Sequence, residues 1–240
     1  MSEQTYPGYS EYILKEIVPS NEVVYKRGAN REYIHHEEFA TWHQYFCSES
    51  YQPPVGKKIA LLHTCTWGKP YDQSYIGQKI KGVTDQFPLV HRIVLSNAGI
   101  IPYEYQLNPT FCAYDWKFDY TQDEQEQQEI IAEYRQVLTN RLQNYLSAHK
   151  DTYQAVILLG IPSLNMMSPQ YKEICNQLGT PFMVAPRAAT YRSLKEEILQ
   201  LQDIGEFFTH PAVLEDLKML LSQVSSHVTD IDHHTSLSRS

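Results

Sequence analysis

Three short apolar runs constrain this chain more than anything else in it: Lys58-Ile59-Ala60-Leu61-Leu62-His63, His91-Arg92-Ile93-Val94-Leu95-Ser96 and Ala155-Val156-Ile157-Leu158-Leu159-Gly160. None alternates apolar with polar residues, so none suits a sheet with one face in water. Continuous runs of this length fit central strands covered on both faces, the usual condition of a parallel sheet. The segment Tyr75 to Gln86 has helical spacing and joins the first two runs, which gives strand, helix, strand in βαβ order.

The other segments supply covering layers. From Ile34 to Phe46, the residues Phe39, Trp42, Tyr45 and Phe46 fall at helical spacing behind the acidic Glu37 and Glu38. Asp123 to Lys150 carries one apolar stripe, Ile130, Ile131, Tyr134, Val137, Leu138, Leu142, Tyr145 and Leu146, and Thr121-Gln122-Asp123-Glu124 has the layout of a capping box. Further on, Ser168 to Leu178 reads as a helix ended by Gly179, Pro181 to Val184 as a short fourth strand, and Ser193 to Gln202 and His210 to Val224 as two more helices. The expected fold is a three-layer α/β/α domain on a mostly parallel central sheet, spanning residues 1–224. Residues 1–33 form an N-terminal arm with a short strand at Glu22 to Lys26, and the polar segment Ser225 to Ser240 is expected to be disordered.

A chain of 240 residues is long enough for one substantial core and short for two. Its net charge of −8 argues against a surface that grips phosphate backbones unaided, so a nucleic-acid role needs a local basic patch or a nucleic-acid-binding partner protein. No apolar run approaches a membrane span, and the start lacks the layout of a signal peptide, which implies a cytoplasmic protein with no membrane partner. Cys47, Cys65, Cys112 and Cys175 lie far apart without a CxxC pair, so free thiols are expected rather than a zinc site or disulfides. His35-His36 and His233-His234 read as solvated residues, not metal ligands. No Gly-rich phosphate loop, HExxH or GxSxG motif occurs, and no cofactor is called for.

In an open parallel sheet, ligands bind beyond the carboxyl ends of the strands. Three stretches are expected at that edge: Thr64 to Ser74, Asn97 to Glu104, and Gly160 to Asn165. The first is richest in chemistry, with the thiol of Cys65, the ammonium of Lys69, the phenol of Tyr71, the carboxylate of Asp72 and the hydroxyl of Ser74. A plainer reading stands beside the functional one, in which Cys65 is buried, Lys69 is solvated, and Gly68 with Pro70 shapes a turn. Likewise Tyr114-Asp115 lines a pocket or packs in the core, and Arg187 binds an anion or is an ordinary surface residue.

The pattern Cys65-x3-Lys69-Pro70-Tyr71-x2-Ser74 resembles the C-x3-K-P-Y-x2-S-x2-H signature of the archaeosine synthase family, archaeal tRNA-modifying relatives of tRNA-guanine transglycosylases. Gly77 stands where that signature ends in His, and Thr64 where the family has Pro. The stretch Ser96-Asn97-Ala98-Gly99-Ile100-Ile101-Pro102-Tyr103-Glu104, with Asn108-Pro109 and Ala113-Tyr114-Asp115 beyond it, is similar to the same domain. The resemblance covers about Lys57 to Gly160 and implies a uracil-DNA-glycosylase-like fold, a nucleobase or nucleotide ligand, and addition of an amine to the nitrile of a 7-deazaguanine base.

Fitted to that chemistry, a Cys65 thiolate adds to the nitrile with Lys69 lowering its pKa or holding a substrate anion, and Asp72 accepts protons. Tyr71 stacks on the base, and Ser74, Asn97, Gly99, Tyr114 and Asp115 are expected to contact the substrate. Two alternatives remain open at this point: a catalytically silent base-binding or assembly subunit of a nucleic-acid-modifying complex, and a glycosylase-like hydrolase in which Asp72 orients water.

Overall fold

All three apolar runs become neighbouring strands of one sheet. The computed structural model describes residues 26–27, 34–66, 68–112, 114–115, 123–160, 168–198, 200–201 and 204–237. In chain order the strands are β1 (Lys26–Arg27), β2 (Ile59–Thr64), β3 (Val90–Ser96), β4 (Gly99–Pro102), β5 (Tyr114–Asp115), β6 (Ala155–Leu159) and β7 (Phe182–Ala185). Helices are α1 (Glu37–Phe46), α2 (Tyr75–Thr84), α3 (Pro109–Cys112), α4 (Glu124–Ala148), α5 (Ser168–Gln177), α6 (Ala188–Ser193), α7 (Lys195–Ile198), α8 (Ile204–Thr209) and α9 (Pro211–Leu237), with 3-10 turns at Tyr71–Gln73 and Tyr103–Tyr105.

The main sheet has the order β4-β3-β2-β6-β7, with β2 central and parallel to both β3 and β6. Alternate residues of β2 and β6 enter opposite cores. Ala60, Leu62, Val156 and Leu158 pack with Phe39, Phe46, Leu142, Tyr145 and Tyr171 of α1, α4 and α5. Ile59, Leu61, Ile157 and Leu159 pack with Ile80 of α2, Phe207 of α8, and Val213, Leu217 and Leu221 of α9. These are the three layers that unbroken apolar strands demand.

Four expectations change. Asn97 to Glu104 is not a loop at the carboxyl edge: Asn97 and Ala98 form a tight turn, and Gly99–Pro102 returns as the antiparallel edge strand β4, with Ser96 opposite Gly99 and Ile93 opposite Pro102. Gly99 makes the reversal feasible, since its φ of +118° is costly for any residue with a Cβ. The long helix α4 is capped by Asp123, whose Oδ1 accepts from the amides of Gln125 at 2.8 Å and Glu126 at 3.2 Å; Thr121 lies outside the described residues. In place of one helix from Ser193 to Gln202 there are the short helices α6 and α7, and α8 was not foreseen.

The fourth change is at the C-terminus, where α9 continues through Ser225 to Leu237 instead of becoming disordered. Val224 and Val228 are one helical turn apart and both are buried against the second core. Ser225, Ser226 and His227 between them hid that continuing stripe. At the other end, β1 pairs in parallel with β5, while the rest of the expected Glu22 to Lys26 strand lies outside the described residues. Among the described residues no helix is long and apolar enough to cross a membrane, and no group of His, Cys, Asp and Glu is arranged to hold a metal.

Candidate functional site

β2 and β3 end side by side, so the loops that leave them start as neighbours. Thr64 pairs with Leu95, and the Cys65 amide donates to the Leu95 carbonyl at 2.9 Å. Beyond Cys65, Thr66 Oγ1 donates to the Gly68 carbonyl at 2.6 Å, the chain passes a cis Lys69–Pro70 bond, and the turn Tyr71–Gln73 leads into α2.

Ser74 closes the loop. Its Oγ accepts from the Gly77 amide at 2.9 Å and donates to the Tyr71 carbonyl at 2.6 Å, so its place here is that of the helix cap. Gly77 is sterically fixed by the same turn: a Cβ at this position would lie 1.8 Å from the Tyr71 carbonyl oxygen. A histidine at the end of the signature is therefore incompatible with this loop conformation.

Lys69 is only 3% exposed, which is uncommon for a lysine and excludes the plain solvated reading. Its charge acts on the Cys112 thiol of α3: burial pushes that thiol up to about 12, with Lys69 pulling the other way. Cys65 is half-buried against the first core. Tyr71 is enclosed in the same core, with its hydroxyl donating to the Phe111 carbonyl at 3.4 Å, and so presents no free ring to a base.

Asp72 is held by a network that the sequence did not announce. Its Oδ1 accepts from Arg92 Nη1 at 2.7 Å, and its Oδ2 accepts from the Tyr103 hydroxyl and from Gln106 Nε2 at 3.0 Å. The Asp72 amide donates to Gln106 Oε1 at 3.0 Å. Burial works to raise the Asp72 carboxyl, but the Arg92 charge and these three donors overcome it and hold the group below the usual carboxylate range. Arg92, 4% exposed, also lies 4.5 Å above the Tyr103 ring and donates from Nε to His63 Nε2 at 3.4 Å. Burial first, and Arg92 second, push His63 down to about 3, so it is neutral and accepts that bond. A charged residue inside an apolar strand, as Arg92 is in β3, was the available signal, because a buried charge needs partners.

Of the remaining residues, Asn97 is half-buried in the β3–β4 turn and Gly99 faces Arg141 of α4, whose Nη1 would be 2.9 Å from an added Cβ. Arg141 also donates to the Ala98 carbonyl at 3.2 Å. Tyr114 and Asp115 pair through their backbones with Lys26 and Arg27; their side chains, and Ile161 to Asn165 of the third expected stretch, lie outside the described residues. Arg187 is tied to Asp216 by Nε at 2.9 Å and Nη2 at 2.7 Å, which accounts for it as a structural residue. The structure thus brings Cys65, Lys69 and the Asn97–Gly99 turn to one edge of the sheet, and commits Tyr71, Asp72 and Ser74 to holding the loop.

A three-layer α/β unit with its polar residues gathered where β2 and β3 end is the class of protein defined here. The chain belongs to the family described as a domain of unknown function, DUF5591, whose model matches residues 41–190. That span runs from α1 through β7 into α6 and includes the whole edge. One solved structure, AF0587, a protein of unknown function, is similar over 75% of this chain at 13% identity, with a TM-score of 0.46. The chain spans 49% of the length of that protein. No curated protein matches the sequence.

Proposed function

We propose that this chain is an archaeosine-synthase-like enzyme that takes a 7-deazaguanine-type base at the carboxyl edge of β2 and β3 and adds an amine to its nitrile. The observation that carries the reading is the enclosed ammonium of Lys69, on the same loop as the half-buried Cys65 thiol. A lysine withdrawn from water where α/β sheets receive ligands is suited to directing charge. Five residues matching the family signature, Cys65, Lys69, Pro70, Tyr71 and Ser74, support the assignment, and the three-layer sheet accords with a uracil-DNA-glycosylase-like fold.

In the first step the Cys65 thiolate attacks the nitrile carbon, a C–S bond forms, one C–N π bond breaks, and the nitrogen takes up a proton. An amine co-substrate then attacks the same carbon and loses a proton; the C–S bond breaks, which leaves an amidine and restores the thiolate. Lys69 stabilises the anionic sulfur or anchors a substrate anion. Asp72, already accepting three hydrogen bonds, acts as a positioning residue for the loop. With a net charge of −8, the chain takes the base as a small molecule or from a nucleic acid presented by a partner protein.

The full hydrogen-bonding of Asp72 also favours a second reading, a catalytically silent base-binding subunit. Both are tested by incubating the protein with 7-cyano-7-deazaguanine as base, nucleoside and tRNA-bound forms, with and without lysine. A product mass shift that disappears in Cys65→Ala supports the enzyme. Tight binding of the base without product supports the subunit, and absence of both overturns the base assignment.

A further inference from the structure

Arg141 occupies a position that the sequence pattern reserves for an apolar residue. It follows Tyr134 by seven positions and precedes Leu142 and Tyr145 on the buried stripe of α4, and it is 8% exposed. A buried guanidinium is normally matched by a carboxylate, because removing the charge from water is costly. Arg92 has Asp72, and Asp216 holds Arg187. For Arg141 the hydrogen bond to the protein is to the Ala98 carbonyl, and no ion pair joins it to a carboxylate among the described residues.

Among the described residues its surroundings offer no substitute. The ionisable neighbours that act on it or feel it are Tyr134, whose phenol burial keeps neutral, and His43 of α1, which burial and the Arg141 charge push down to about 4. Both are uncharged at neutral pH. Arg141 stands at the turn after β3, at the edge of the sheet where ligands enter, and Gly99 leaves room for it by lacking a Cβ.

We propose that Arg141 is an anion-binding residue, and that the β3–β4 turn and α4 together form a site for the carboxylate of a small molecule. Five N–H donors in a planar fork leave paired donors beyond the one bond to Ala98, the geometry that suits a carboxylate. One cation with two neutral neighbours matches a single negative charge better than a phosphate dianion. The site lies at the same edge, but carboxylate binding there needs none of the chemistry assigned to Cys65 and Lys69.

The test uses the full chain, labelled with 15N-arginine, and three salts at equal ionic strength: acetate, inorganic phosphate and chloride. The Arg141 Nε–H signal, assigned by its loss in Arg141→Met, is expected to shift saturably with acetate alone. Acetate is also expected to raise the Tm of the wild type relative to chloride and to leave the Tm of Arg141→Met unchanged. Arg141→Lys, which keeps the charge without the fork, is expected to bind acetate on the order of tenfold more weakly. Should Arg141→Met fail to fold, Arg141→Lys and the wild-type Tm still decide. Equal Tm and unchanged signals in acetate and chloride overturn the site, and a response to phosphate with none to acetate overturns the carboxylate assignment.

Discussion

His91 and Glu104 meet through Nε2 and Oε2 at 2.9 Å, linking β3 to the turn after β4. From this pair a chain of buried hydroxyls runs beneath α1 and α4. His91 Nδ1 lies 2.6 Å from the Tyr153 hydroxyl, Tyr153 lies 2.9 Å from Tyr145, and Tyr51 donates back to Glu104 Oε1 at 2.7 Å.

Burial works to raise the Glu104 carboxyl, but His91 and Tyr51 hold it below the usual range. A depressed carboxyl contributes stability that is complete above its unfolded pKa, about 4.3, and is lost as pH falls through the lower folded value. Glu104→Gln is expected to be less stable than wild type at pH 7, with the gap closing below about pH 4.3. Urea midpoints from pH 7 to pH 3 measure this, and a gap that stays constant across the range contradicts it.

Asp72 gives a contrasting expectation. Removing it strands the buried Arg92, and breaking a pair of this kind costs about 3–5 kcal/mol. Asp72→Ala is therefore expected to lower the urea midpoint strongly. An Asp72→Ala protein of wild-type stability that lacks amine addition would instead make Asp72 a proton acceptor.

Gly77→Ala tests the loop. The new methyl collides with the Tyr71 carbonyl, a backbone atom that cannot rotate away, so a loss of about 1–3 kcal/mol or more is expected. Gly82, on the same helix with nothing within 4 Å of an added Cβ, is the control, and Gly82→Ala is expected to be neutral or stabilising.

Val228 tests the length of α9. It is 2% exposed, and ending the chain at Ser225 removes it from the second core. A loss of about 1–3 kcal/mol is expected both for that truncation and for Val228→Ala. Unchanged thermal denaturation of the truncated chain would show that the last turns add nothing.

Sequence periodicity reached the layers because β2, β3 and β6 bury both faces, and only a covered sheet accepts such runs. It missed β4 because Ile100 and Ile101 read equally well as part of a loop, and the reversal depends on one glycine. The loop after β2 was recognisable as the stretch richest in reactive side chains, and the structure withdraws Lys69 from water and half-buries Cys65 there. The roles of Tyr71 and Asp72 were less accessible, since each is set by a partner distant in sequence, Phe111 for the first and Arg92 for the second. Arg141 was detectable as a charge on an apolar stripe, but the stripe itself drew the attention.

The loop between β2 and α2 is fastened at both ends, by the Cys65 amide on Leu95 and by Ser74 at the helix start, with Asp72 clamped between them. Swinging it outward requires breaking one of these fastenings. Variation in the chemistry this edge presents is therefore easier to reach by exchanging single side chains than by lengthening the loop. In evolutionary terms, this part of the chain is tunable by point mutation and intolerant of insertion.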